Sequence, residues 1–151
     1  MLTGGEAAHW VDLRHLFVEY AESLAISLEY QGFAGELQDL PRIYSDHEGG
    51  AWLALREGVA IGCVALKANT SESAELKRLY VRACGRGAGV GERLATAAIT
   101  HARQLGYKTI RLDTLPTMAA AQRMYRRLGF VETEPYYDTP IEGTRFMALT
   151  L

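Results

Sequence analysis

The chain reads as one mixed α/β domain of α+β character, and three observations carry that reading. The stretch ELKRLYVRACGRGAGVGERLATAAITHARQL, Glu75 to Leu105, passes from a Leu-, Tyr- and Val-rich run through a glycine-dense turn into a periodic apolar segment. Two strand-like runs, Ala51 to Arg56 and Val59 to Lys67, are joined by only Glu57-Gly58, an acid–glycine linker suited to a hairpin. No internal repeat or linker divides residues 1–151, and the elements follow in the order α α β β β α β α β β. That order suits a single layered domain rather than repeated βαβ units.

Taken in order, Glu6 to Leu24 sets Trp10, Leu13, Phe17, Tyr20, Ala21 and Leu24 on one face of an amphipathic helix. Ser27 to Gln31 reads as a kink or loop carrying Glu29 and Tyr30. Phe33, Leu37 and Leu40 repeat at helical spacing, and Pro41 is expected to stop that short helix. The polar, glycine-bearing segment Arg42 to Gly50 connects it to the hairpin. Asn69 to Ser73 makes the next turn, and Ala74 to Val81 a third antiparallel strand. The central helix follows, with Val90, Leu94, Ala97, Ala98, His101 and Leu105 on one face, and ends near Gly106. Lys108 to Thr114 alternates as a strand. Met118, Ala121, Met124, Tyr125 and Leu128 then share a helical face that Gly129 closes. Phe130 to Glu134 and Thr144 to Leu151 are two last strands around the loop Pro135 to Pro140.

At 151 residues the chain can bury a full core without staples. It has no apolar run of spanning length, and MLTGGEAAHW lacks the basic start and apolar stretch of a signal peptide. Cys63 and Cys84 stand singly, and the four histidines form no cluster, so a reduced, cytoplasmic protein without a structural metal is expected. The net charge of −2 conceals an asymmetry: residues 1–57 carry ten acids against three arginines, and residues 58–151 eight acids against thirteen bases. Solvated surface alone could produce this split. Read functionally, the second half holds an anionic ligand and the first faces a cationic or neutral one. No basic stripe with interleaved aromatics marks a nucleic-acid interface.

Glycines at 85, 87, 89 and 91, between a strand and a helix, can aim free backbone N–H groups at an anion. This arrangement implies a phosphate-bearing ligand on the turn Arg86 to Gly91. It is not a P-loop, because Glu92-Arg93 stands where Lys-Ser/Thr is needed. The dinucleotide pattern G-x-G-x-x-G fails in both registers, which end on Glu92 or Val90.

Arg86-x-x-Gly89-x-Gly91 matches the R/Q-x-x-G-x-G/A signature, and the chain thereby resembles the GNAT superfamily of acyl-CoA N-acyltransferases. The element order and the later segment AAAQRMYRRLGF, with Tyr125 four residues before Gly129-Phe130, extend the resemblance over almost the whole length. It implies a GNAT-type fold: a central, mostly antiparallel twisted sheet flanked by about four helices. It implies acetyl-CoA as cosubstrate, held by Leu79, Tyr80 and Val81 of the third strand, by Arg86, Gly87, Ala88, Gly89, Val90 and Gly91 of the turn, and by Ala121. Two departures stand out: MLTGGEAA offers almost no first strand, and Met118 occupies the place where many members carry Asn. The resemblance further implies an acceptor cleft walled by the first two helices and the last hairpin, which nominates Glu29, Tyr30, Tyr136 and Tyr137.

Acylating an amine with a thioester needs a deprotonated amine, a donor for the developing oxyanion, a proton for the thiolate, and two substrates in register. Glu75 is the candidate base, acting through a water. It is expected to share a strand face with Lys77, Leu79 and Val81; a structural pairing with Lys77 or Lys67 is the alternative. Leu79 and Val81 act through their main chain. Tyr125 is the candidate acid, its phenol value of ~10 lying close enough to a thiol's to share a proton. Arg86 and Arg82 are positioned to neutralise phosphate, and Cys84, with no His or acid nearby in sequence, is structural. The acceptor is expected to be a small-molecule or peptide amine, with no nucleic acid and no membrane as partner and homodimerisation left open. The competing reading is a non-catalytic acyl-CoA-binding module or sensor.

Overall fold

Glu57 and Gly58 both take positive φ, 51° and 80°, as a type I′ turn requires. They lock β1 (Gly50–Arg56) against β2 (Val59–Ala68) as the expected hairpin. The structure, a computed structural model, describes residues 1, 7–44 and 47–151, so the question of a first strand before the first helix, at residues 2–6, lies outside the described residues. The other elements are α1 (Ala7–Ser23), a 3-10 turn (Glu29–Gln31), α2 (Phe33–Gln38), α3 (Leu40–Ile43), β3 (Ser73–Val81), a second 3-10 turn (Ala83–Gly85), α4 (Val90–Gln104), β4 (Thr109–Thr114), α5 (Ala119–Arg127), β5 (Val131–Thr133) and β6 (Arg145–Thr150). The six strands form one sheet in the order β1-β2-β3-β4-β6-β5, antiparallel at every pair except β3 with β4.

Pro41 does not end the second helix. That helix stops at Gln38, and Pro41 occupies the first turn of α3, where a missing N–H has no intrahelical partner to lose.

Alternating residues of β2 divide the interior into two cores. Val64 and Leu66 join Leu76, Ile110 and Leu112 beneath Leu94, Ala98 and Ile99 of α4 and Met124 and Tyr125 of α5. Cys63 and Ala65 face the other way and pack with Leu13, Leu16 and Phe17 of α1 and with Tyr44. Gly49 marks how closely the chain lies on the sheet edge: a Cβ there would sit 2.2 Å from the Leu66 carbonyl oxygen.

Two irregularities in β3 shape the cleft beside it. Cys63 pairs with Tyr80 and Ala65 with Lys77, so Val64 alone faces Arg78 and Leu79, and Arg78 adopts φ 59°. This is a β-bulge, and it reverses the pleat beyond it. Ala74 and Leu76 before the bulge, and Leu79 and Val81 after it, all belong to the α4 side. Glu75 and Lys77 therefore lie on the opposite face from Leu79 and Val81, which corrects the expectation that all four share one. The second irregularity is a splay. β3 pairs with β4 only over Ser73, Ala74 and Glu75, and the strands part beyond that point. The open edge of β3 faces a wedge between the two halves of the sheet.

Candidate active site

The turn after β3 lies at the mouth of the wedge. Gly85 is buried, and a Cβ there would press on Val81 and Ile61 at 3.1 and 3.2 Å. Gly87 and Gly89 take φ 81° and 72°, with open space where a Cβ would stand. Helix α4 makes its first bond from Arg93 N–H to the Gly89 carbonyl at 3.1 Å, so the N–H groups of Val90, Gly91 and Glu92 have no partner within the helix. A groove of about 920 Å³ runs past this corner.

Most of the residues assigned to the cosubstrate line that groove: Leu79, Tyr80 and Val81 from β3, Arg86, Gly87, Gly89, Val90 and Gly91 from the corner, and Ala121 from α5. Ala88 does not; it stands exposed on the crest of the turn. Arg86 donates to the Val81 carbonyl at 3.0 Å, which ties the turn to the strand. Arg123 and Arg127 add positive charge to the wall, Arg127 pairing with Glu92 at 3.3 Å. Arg82 is not a groove residue. It is held by Glu19 at 2.5 Å and donates to the Ala60 carbonyl at 2.7 Å, so the phosphate role expected for it is withdrawn. A wide groove, glycines that leave the backbone bare, free helical N–H groups and flanking arginines fit a phosphorylated, elongated ligand such as coenzyme A.

Deeper in the wedge the groove meets a narrow cavity of about 40 Å³, with Tyr20, Leu79, Met118 and Ala121 common to both. Met118, in the place of the family's Asn, caps the start of α5 with no side-chain hydrogen bond. Tyr125 reaches the cavity from α5, 7% exposed, its ring tilted against Phe130 at 5.6 Å. Burial holds its phenol well above the ordinary value, and the charge of Asp113 adds to that. The hydroxyl is thus kept protonated.

Gln31, Arg78 and Asp113 line the cavity's other walls and anchor a network behind them that sequence reasoning found only in part. Tyr137 donates to Asp113 Oδ2 at 2.6 Å. Gln31 Nε2 donates to the Tyr30 and Tyr137 hydroxyls at 3.1 and 3.3 Å and to Asp113 Oδ2 at 3.4 Å, while Gln31 Oε1 accepts from Arg78 Nη1 at 2.7 Å. Arg78 Nε pairs with Glu36 Oε2 at 3.0 Å, and Tyr44 donates to the other oxygen of Glu36. Tyr136 and Tyr137 pack on Phe146, with ring centres 5.2 and 5.3 Å away, and Tyr136 donates to Glu75 at 3.2 Å. Burial raises the Glu75 carboxyl above its usual range, with Lys77 opposing. Burial likewise lowers the Lys77 ammonium.

Tyr30 and Tyr125 therefore line the cavity, Tyr137, Tyr136 and Glu75 stand behind its Asp113 wall as a connected chain, and Glu29 lies outside. Glu29 is exposed and accepts the Ala34 N–H at 3.2 Å, closing the start of α2. Asp113, Gln31 and Arg78 were not foreseen as site residues. The only sequence signal for Asp113 was an acid near the end of an alternating strand. Among the described residues no three His, Cys, Asp or Glu side chains stand together as a metal site, and no helix is long and apolar enough to cross a membrane.

A family model described as Acetyltransferase (GNAT) family matches residues 10–130. An uncharacterized N-acetyltransferase of Schizosaccharomyces pombe is 37% identical, over 93% of this chain and 87% of that protein. A GNAT-family acetyltransferase of Staphylococcus aureus superposes with TM-score 0.80 at 20% identity, covering 95% of this chain and 94% of its own. Another from Elizabethkingia anophelis, crystallised with acetyl-CoA bound, superposes with TM-score 0.60 at 23% identity over 76% and 83% of the two chains.

Proposed function

The chain belongs to the GNAT acetyltransferase family and is an acetyl-CoA-dependent N-acetyltransferase, and we propose that the wedge between β3 and β4 is where an amine meets the thioester. The observation that carries this reading is the junction of the wide groove with the narrow polar cavity at Leu79, Met118 and Ala121. An elongated thioester in the groove and an amine in the cavity would meet there. Acetyl-CoA supplies an activated acetyl carbonyl; everything else is the work of this chain.

The corner from Arg86 to Gly91 binds the diphosphate through backbone N–H groups and the positive end of α4. The unpaired edge of β3 at Leu79 and Val81 offers main-chain donors and acceptors to the amide-bearing arm, and one N–H to the carbonyl oxygen as charge develops on it. Glu75 takes the proton from the incoming ammonium through a water, its raised carboxyl value bringing it nearer to neutrality as a base. Tyr125 donates a hydrogen bond to the departing thiolate; its raised phenol value favours that bond over full transfer of the proton. Tyr30, Tyr136 and Tyr137 line the acceptor's approach.

The acceptor is a small-molecule or peptide amine. One chain provides both walls of the cleft, so the reading requires no second copy. The two free cysteines, one of them exposed, suit a reducing, cytoplasmic setting. A thiol-release assay with acetyl-CoA and a panel of amines tests the proposal. Amine-dependent CoA release above background hydrolysis supports it, and CoA release at the background rate with every amine refutes it.

A further inference from the structure

The small cavity is electrically two-ended. At one end stand two cations, Arg78 and Lys77, which pair with Glu36 at 3.0 and 3.9 Å, with Glu75 as a second carboxylate acting on both. Arg78 donates from Nε to Glu36 and from Nη1 to Gln31, its guanidinium lies over the Phe33 ring at 5.2 Å, and its Nη2 is buried with no hydrogen-bond partner. The side chain is only 3% exposed, so water does not satisfy that donor from outside. At the other end stands Asp113, which collects Gln31 and Tyr137. The amide of Gln31 bridges the two ends, its oxygen on Arg78 and its nitrogen on Asp113. Positive and negative poles are thus one side-chain amide apart, in a space of about 40 Å³.

A buried guanidinium N–H left without an acceptor is among the more costly polar defects in a protein interior. A carboxylate is its natural complement. We propose that the acceptor is a small amino-carboxylate, an amino acid or close analogue, with its carboxylate on Arg78 Nη2 beside Lys77 and its amine toward Asp113. This rests on the acetyl-transfer reading above and narrows it to a substrate class. A zwitterion carries both of the charges that Arg78 and Asp113 complement. A simple monoamine leaves Arg78 unsatisfied, and a diamine sets its second cation against Lys77 and Arg78.

The test is initial-rate CoA release by the wild-type protein with each of the common amino acids, its carboxamide and its decarboxylated amine, with putrescine as the diamine. At least one amino acid is expected to exceed both its carboxamide and its amine by roughly tenfold or more in kcat/KM, the scale of one charged hydrogen bond. In Arg78→Lys, and separately in Lys77→Gln in case the first variant folds poorly, the acid-to-amide ratio should fall toward one. Acetyl-CoA binding measured by calorimetry reports that each variant is folded. Carboxamides, monoamines or putrescine turning over as fast as the amino acids overturns this inference and leaves acetyl transfer intact. Absence of CoA release with every amine, with acetyl-CoA still binding, overturns both.

Discussion

The Tyr136 hydroxyl donates to Glu75 Oε1 across 3.2 Å, so an aromatic from the loop before β6 helps to hold the charge of a carboxylate on β3. The carboxyl is raised chiefly by burial, and the Tyr136 hydrogen bond is one of the influences that lower it again. Tyr136→Phe removes a donor to the ionised form, which raises the Glu75 value further. The acidic limb of the pH profile of kcat/KM should therefore move to higher pH. An acidic limb that stays in place would take Glu75 out of the role of base.

Glu75→Gln should separate function from stability. Because the folded-state value lies above the unfolded one, the stabilisation tied to the neutral carboxyl is complete below the ordinary carboxyl range. It is lost as pH rises through the raised value. The variant does not titrate. Its stability relative to wild type should improve as pH climbs from the ordinary carboxyl range toward neutrality, while turnover falls by roughly 10²–10⁴-fold. Urea denaturation at a series of pH values and steady-state kinetics read the two effects. A stability difference that does not change with pH contradicts the burial argument.

Tyr125→Phe keeps the ring packed on Phe130 and deletes only the hydroxyl. Turnover is expected to drop by about 10²-fold or more, with acetyl-CoA affinity within about twofold of wild type, the ordinary outcome where no cosubstrate contact is lost. Normal turnover with much weaker binding would make Tyr125 a packing residue of the groove.

Gly89 caps α4 at φ 72° with open space around the position of a Cβ. Gly89→Ala should lower stability by about 1 kcal/mol from backbone strain and weaken acetyl-CoA only modestly. Gly89→Asp sets a negative charge where a diphosphate is proposed, and calorimetry should show affinity reduced by roughly tenfold or more. Equal affinities for the two variants would remove the phosphate from this corner.

Much of the fold was legible because its signals are local. Glu57-Gly58 announced a hairpin, and Gly129 was expected at the end of α5, where it takes φ 99°. The glycines at 85–91 mark a turn for reasons contained in the turn itself. The bulge at Arg78 had no such marker: an arginine at positive φ carries no sequence signature, and a bulge exists only relative to the strand opposite. That one residue misplaced Glu75 relative to Leu79 and Val81. The polar network was hidden for a related reason. Gln31 meets Asp113 and Tyr137 across 82 and 106 residues of chain, and no local pattern reports a meeting at that distance. Glu29 and Arg82 erred the other way, as charges that looked available and are occupied by the Ala34 N–H and by Glu19.

The parting of β3 from β4 after Glu75 leaves the sheet as two three-stranded panels sharing a seam only three residues long. A panel boundary of that kind is a weak line, and a cosubstrate lying along it serves as a brace as well as a reagent. Saturation at a hundred times the dissociation constant would add about 2.7 kcal/mol to the folded state. Amide hydrogen exchange should record that gain unevenly, slowing most at residues 76–81 and at the start of α4, and least in the β1–β2 turn. Uniform slowing would mean that the panels already act as one plate, and that the brace holds nothing the apoprotein lacks.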